Sequence, residues 1–137
     1  RDLLVWLELK VAGEPRSTNL VTFARPKHLE LVRQPGIQVT VGSRMDGAFH
    51  VFVKSKKPAL WVWLELEESD ARFSRNFFHL RPGRPQTLVV TPARRMTRAE
   101  CRRQLRVWSL VDTYRGGWMT NTPVVKPGGM ERAGTRI

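Results

Sequence analysis

The chain has 137 residues, a net charge of +12, 41% apolar residues and one cysteine. That length carries one domain with a real core, or one domain plus part of another. The composition excludes a disordered chain, no apolar run approaches the ~20 residues that span a bilayer, and a lone thiol excludes an internal disulfide.

In chain order, Leu3, Val5, Leu7 and Leu9 alternate with Leu4, Trp6, Glu8 and Lys10, the period of a strand. Gly13-Glu14-Pro15 signals a turn and Asn19–Phe23 the return strand, so a hairpin is expected at the start. A chain that opens inside such an alternation is expected to be cut from something longer. Arg25-Pro26-Lys27 breaks the pattern, because proline removes a ladder donor.

Gln34-Pro35-Gly36 reads as a domain boundary, after which short strands follow at close spacing. Ile37, Val39 and Val41 alternate, Asp46-Gly47 suits a turn with positive φ, and Phe49, Val51 and Val53 alternate again. Lys54–Pro58 is a polar link to the strand Leu60–Leu66. Glu67–Asp70 turns that strand into another over Phe73–Leu80, and Arg81-Pro82-Gly83-Arg84-Pro85 leads to Leu88–Thr91. Thr97-Arg98-Ala99-Glu100 fits a capping box opening a short helix. From Leu105 through Val107, Ser109 and Val111 a period of two resumes, giving a last strand that ends near Tyr114. The expected organisation is all-β: a hairpin in 1–34, an immunoglobulin-like sandwich with one short helix in 35–114, and a disordered tail in 115–137.

One stretch is used twice. Val5-Trp6-Leu7-Glu8-Leu9 recurs as Val62-Trp63-Leu64-Glu65-Leu66, and Ser17 and Asn19 fall in register with Ser74 and Asn76. This predicts two copies of one strand–turn–strand unit.

On the second copy, Leu60, Val62, Leu64 and Leu66 are expected to face the core. Trp61, Trp63, Glu65 and Glu67 then share the opposite face. Two indoles beside two carboxylates suit a sugar, whose apolar CH faces lie next to polar edges. They suit equally a contact between domains, where tryptophan is an enriched anchor. The docking role is favoured because the chain reads as a piece of something larger. Glycosidic chemistry by Glu65 and Glu67 is disfavoured, since nothing in the sequence builds the walls of a cleft around them.

His28, His50 and His79 are scattered and lack ligand partners, so no metal or cofactor is expected. The charge is uneven: residues 71–106 carry ten arginines and one acid, while 59–70 carry four acids and no base. A nucleic acid would meet Arg94, Arg95, Arg98, Arg102 and Arg103, yet no aromatics interleave with them, so nucleic acid is the weakest partner.

Three segments in order carry a resemblance: PALWVWLE at 58–65, RFSRNFF at 72–78 and LRVWSLVDTY at 105–114. Together they resemble the C-terminal immunoglobulin-like region of β-mannosidases of glycoside hydrolase family 2, most of all the lysosomal type from animals. Ser17–Leu29 is similar to the last hairpin of the preceding sandwich domain there. The resemblance covers roughly residues 3–114. It implies a parent enzyme that releases terminal non-reducing β-D-mannose with two glutamates on an upstream barrel, and a lysosomal location for a parent of animal type. No segment here resembles that barrel, so it implies no catalytic residue in this chain. The partners implied are the catalytic barrel and a neighbouring sandwich, with a glycan contact as the alternative. One departure is Arg75, which stands where the family carries an acid after the serine of F-S-D-N.

Overall fold

The computed structural model describes residues 3–114, and the tail expected over 115–137 lies outside them. Strands β1 (Leu4–Val11) and β2 (Glu14–Thr22) form an antiparallel hairpin. Its turn is centred on Ala12 and Gly13, with φ of 51° and 81°, one position before the expected Gly13-Glu14-Pro15. Positive φ at both central residues matches the twist of the flanking strands, and glycine takes it without steric cost. A short 3-10 turn, Pro26–His28, follows where the proline breaks the pairing.

The sandwich comprises β3 (Gln38–Ser43), β4 (Phe49–Lys54), β5 (Ala59–Leu66), β6 (Ala71–Phe73), β7 (Phe78–Leu80), β8 (Gln86–Pro92), helix α1 (Arg98–Gln104) and β9 (Leu105–Trp108). One sheet runs β3-β4-β8-β6 and the other β7-β5-β9, with every pair antiparallel. Between them lies a core of Val39, Val51, Val53, Val62, Leu64, Leu80, Leu88, Val90, Leu105 and Val107, all under 5% exposed. Burial of each such side chain contributes about 1.5–3 kcal/mol, so these alternating aliphatics account for most of what holds the sheets together. Cys101 of α1 is part of this core, and burial pushes its thiol up to about 11. The expected capping box is present: Glu100 N–H donates to Thr97 Oγ1 at 3.1 Å and Thr97 N–H to Glu100 Oε2 at 2.7 Å. The Asp46-Gly47 turn also forms, with Gly47 at φ 80° and Asp46 Oδ1 accepting from Ala48 N–H at 3.2 Å.

Three sequence expectations are corrected. The single strand over Phe73–Leu80 is two, β6 in one sheet and β7 in the other, because the chain crosses between sheets at Ser74–Phe77. The strand expected to run to Tyr114 stops at Trp108: Ser109 N–H donates to Asp112 Oδ2 at 2.7 Å and opens a 3-10 turn over Leu110–Thr113. On β5 the pairing slips between Ala59 and Val62, and Trp61 takes φ 48°. This bulge inserts one residue, so Ala59 rather than Leu60 joins Val62 in the main core, while Leu60 is buried outside it.

The repeat also resolves differently in its two copies. In the hairpin, Leu7 pairs with Asn19 along the backbone. In the sandwich the equivalent residues are Leu64 and Asn76, joined by the side chain: Leu64 N–H donates to Asn76 Oδ1 at 2.7 Å and Asn76 Nδ2 to Leu64 O at 3.0 Å. One amide side chain thereby imitates a paired strand where the second copy has crossed to the other sheet.

Candidate functional site: an aromatic sheet face

The outer face of the β7-β5-β9 sheet gathers the four residues singled out in the sequence. Trp63 and Trp108 are cross-strand partners, with ring centroids 6.4 Å apart and planes 25° from parallel. On the other side of Trp63 lies Phe77, at 5.9 Å and 23°. Near-parallel rings at these separations fall in the offset-stacked range of aromatic pairs. Phe77 stays 64% exposed and holds φ 56°, a backbone region costly for a bulky residue.

Both carboxylates are engaged. Glu65 Oε1 accepts from the Trp108 indole N–H at 2.8 Å, and Glu67 pairs with Arg106, which also donates to Arg103 O at 2.8 Å. They are exposed on an open sheet face and held by neighbouring donors, an arrangement that orients side chains rather than one that moves a proton onto a leaving group. Phe77, Trp108 and Arg106 were not singled out from the sequence. For Arg106 and Trp108 the signal was available, since they alternate with the apolar Leu105 and Val107.

Trp61 lies further along the same face, on the bulge. Its N–H donates to His79 Nδ1 at 3.1 Å, and its ring meets the imidazole edge-on at 4.8 Å. Trp6 of the hairpin reaches the same imidazole at 6.4 Å. Burial holds His79 below its usual 6.5, which keeps Nδ1 free to accept. A second tie joins the segment after the hairpin to the sandwich, where Tyr114 Oη donates to Pro26 O at 2.9 Å.

Of the arginines considered for nucleic acid, Arg94 and Arg103 are engaged within the molecule. Arg103 forms a two-pronged pair with Glu68 at 3.0 and 3.1 Å, and Arg94 bonds Ser69 Oγ at 3.2 Å with Glu100 at 3.8 Å. Arg75 donates to Gln86 Oε1 at 2.6 Å and lies over the Phe78 ring. Among the described residues no three His, Cys, Asp or Glu side chains are grouped to hold a metal, and no helix is long and apolar enough to cross a membrane.

Comparison with known proteins gives a consistent picture. The mannosidase immunoglobulin-fold family, described as an Ig-fold domain, matches residues 32–113. No curated protein matches the chain. Among solved structures it is similar to the β-D-mannosidase of Dictyoglomus thermophilum, with a TM-score of 0.62 and 24% identity over 77% of this chain. That likeness is one of fold, and the chain spans only 13% of that enzyme's length.

Proposed function

The chain belongs to the mannosidase immunoglobulin-fold family, and from that premise we propose that it is the non-catalytic C-terminal β-sandwich region of a β-mannosidase-like glycoside hydrolase. The parent's activity would be release of terminal non-reducing β-D-mannose, performed on a barrel outside this chain. The role proposed for this region is packing: the Trp61/Trp63 face docks on the barrel or a neighbouring sandwich, and the β1–β2 hairpin completes a preceding sandwich. The observation that carries this reading is the ring geometry. Trp63 stands in a near-parallel row with Phe77 and Trp108, so its ring is already engaged by aromatic neighbours within the molecule. An aromatic row with an exposed Phe77 suits an apolar protein surface. The hairpin supports the second half, since Leu3, Leu7, Leu9 and Phe23 are 49–65% exposed and a lone hairpin is marginal in water.

The test is an assay of residues 1–137 with an aryl β-mannoside, together with a manno-oligosaccharide titration followed by tryptophan fluorescence. The expected results are no turnover and no saturable change. Turnover abolished by Glu65→Gln or Glu67→Gln, or a saturable change removed by Trp63→Ala, would overturn the proposal.

A further inference from the structure

The pairing register brings three turns to one end of the sandwich. Gln38 pairs with Lys54, Val53 with Gln86, and Ala59 with Leu80, so the segments 33–37, 54–58 and 81–85 leave the sheets side by side. They are fastened to one another: the N–H groups of Lys56 and Lys57 both donate to Pro35 O at 3.0 Å. Gly36, at φ 69°, lets the Lys56 stem pass so close that a Cβ there would meet it at 3.2 Å. The third turn closes on itself through Arg84 N–H to Arg81 O at 3.0 Å, with Pro82 and Pro85 stiffening it.

These turns contain six basic residues and no acid. Lys54, Lys56, Lys57, Arg81 and Arg84 are exposed, and none makes an ion pair or a side-chain hydrogen bond among the described residues. The opposite end is built otherwise. There acids stand among the cations: Arg44 meets Asp46 at 2.9 Å, Arg94 meets Glu100 and Arg103 meets Glu68, so part of its positive charge is compensated within the molecule. Rigid turns that hold like charges together without local compensation create a field that only an external anion relieves.

We propose that this end of the sandwich, Lys54, Lys56, Lys57, Arg81 and Arg84, is a binding site for a linear sulfated polysaccharide. The cations lie on loops from both sheets, and sheets pack ~10 Å apart, so the anion must present several charges along one chain. The three turns carry no aromatic side chain on which a base would stack, which sets this surface apart from single-strand nucleic-acid sites. Recognition rests on lysines and arginines alone, a composition shared by nucleic-acid and heparin patches, and the absent aromatics favour the polysaccharide. The proposal uses a different surface from the docking face, and its outcome is independent of that reading.

The experiment measures binding of residues 1–137 to heparin across a salt series. One variant carries Lys56→Gln, Lys57→Gln, Arg81→Gln and Arg84→Gln; a control of equal charge carries Arg16→Gln, Arg25→Gln, Arg95→Gln and Arg98→Gln. Neutralising the end is expected to weaken binding tenfold or more and to lower the slope of log K against log salt by about 3, while the control stays near the parent. If the four-site variant melts early, Lys56→Gln/Lys57→Gln and Arg81→Gln/Arg84→Gln are measured as separate pairs. Equal losses in variant and control would reduce the effect to net charge and overturn the proposal. So would polyglutamate or a single-stranded RNA homopolymer binding as tightly as heparin with the same dependence on these residues.

Discussion

The pentapeptide VWLEL occurs twice in this molecule and has opposite fates. In β1, Leu7 is 49% and Leu9 59% exposed; in β5 the equivalent Leu64 and Leu66 are 1% and 8% exposed. Local sequence is identical, so the difference comes from what surrounds it. β5 has β7 and β9 at its edges and a second sheet across the core, whereas β1 has only β2. Alternation makes a strand in either place, but neighbours decide whether its apolar face is a core or a surface awaiting one.

The sharpest way to break the comparison is to truncate both copies. Leu64→Ala should destabilise the sandwich by roughly 2–5 kcal/mol, while Leu7→Ala should change it by about 0.5 kcal/mol or less. Urea denaturation of the two variants reads this directly, and equal losses would mean that the hairpin face is covered. A smaller effect separates the two asparagines. Asn76→Ala strips both hydrogen bonds from the Leu64 backbone and should cost about 1–3 kcal/mol; Asn19→Ala, which loses a contact to the adjacent Leu20 N–H, should be close to neutral by the same measurement.

The smallest effect belongs to His79, where the two copies meet through Trp6 and the Trp61 N–H. Its folded-state pKa is lowered by burial, so the neutral ring contributes stability that is complete above the unfolded value near 6.5 and is lost as pH falls through the lower folded value. The denaturation midpoint should therefore drop between pH 7.5 and 5.5, and drop less in His79→Phe. His28 and His50 are present in both proteins, so the difference isolates His79. An equal drop would remove His79 from the account.

Much of the architecture was legible because short-range chemistry decides it. Thr97 and Glu100 mark a helix start, Asp46-Gly47 marks a turn, and Val39/Val41 against Val51/Val53 mark inward faces. The aromatic face was legible in part, through the parity of Trp61, Trp63, Glu65 and Glu67. What the residues alone did not reveal depends on partners distant in the chain. The bulge at Leu60–Trp61 exists only relative to Leu80 and Phe78. The crossing at Ser74–Phe77 depends on Ser74 and Asn76 each finding a strand in a different sheet: Ser74 Oγ accepts from Val89 N–H while Asn76 serves Leu64. The basic end is invisible for the same reason, since its lysines and arginines come from turns that only the register makes neighbours.

The Asn76 amide has a further consequence for how this molecule behaves among copies of itself. Beyond Val62, β7 no longer accompanies β5, and an uncovered Leu64 amide and carbonyl there would be an open edge. Open edges recruit strands from other molecules and seed aggregation. A single asparagine occupies that socket, so at Leu64 the edge of β5 is closed to intermolecular pairing by a side chain rather than by another strand.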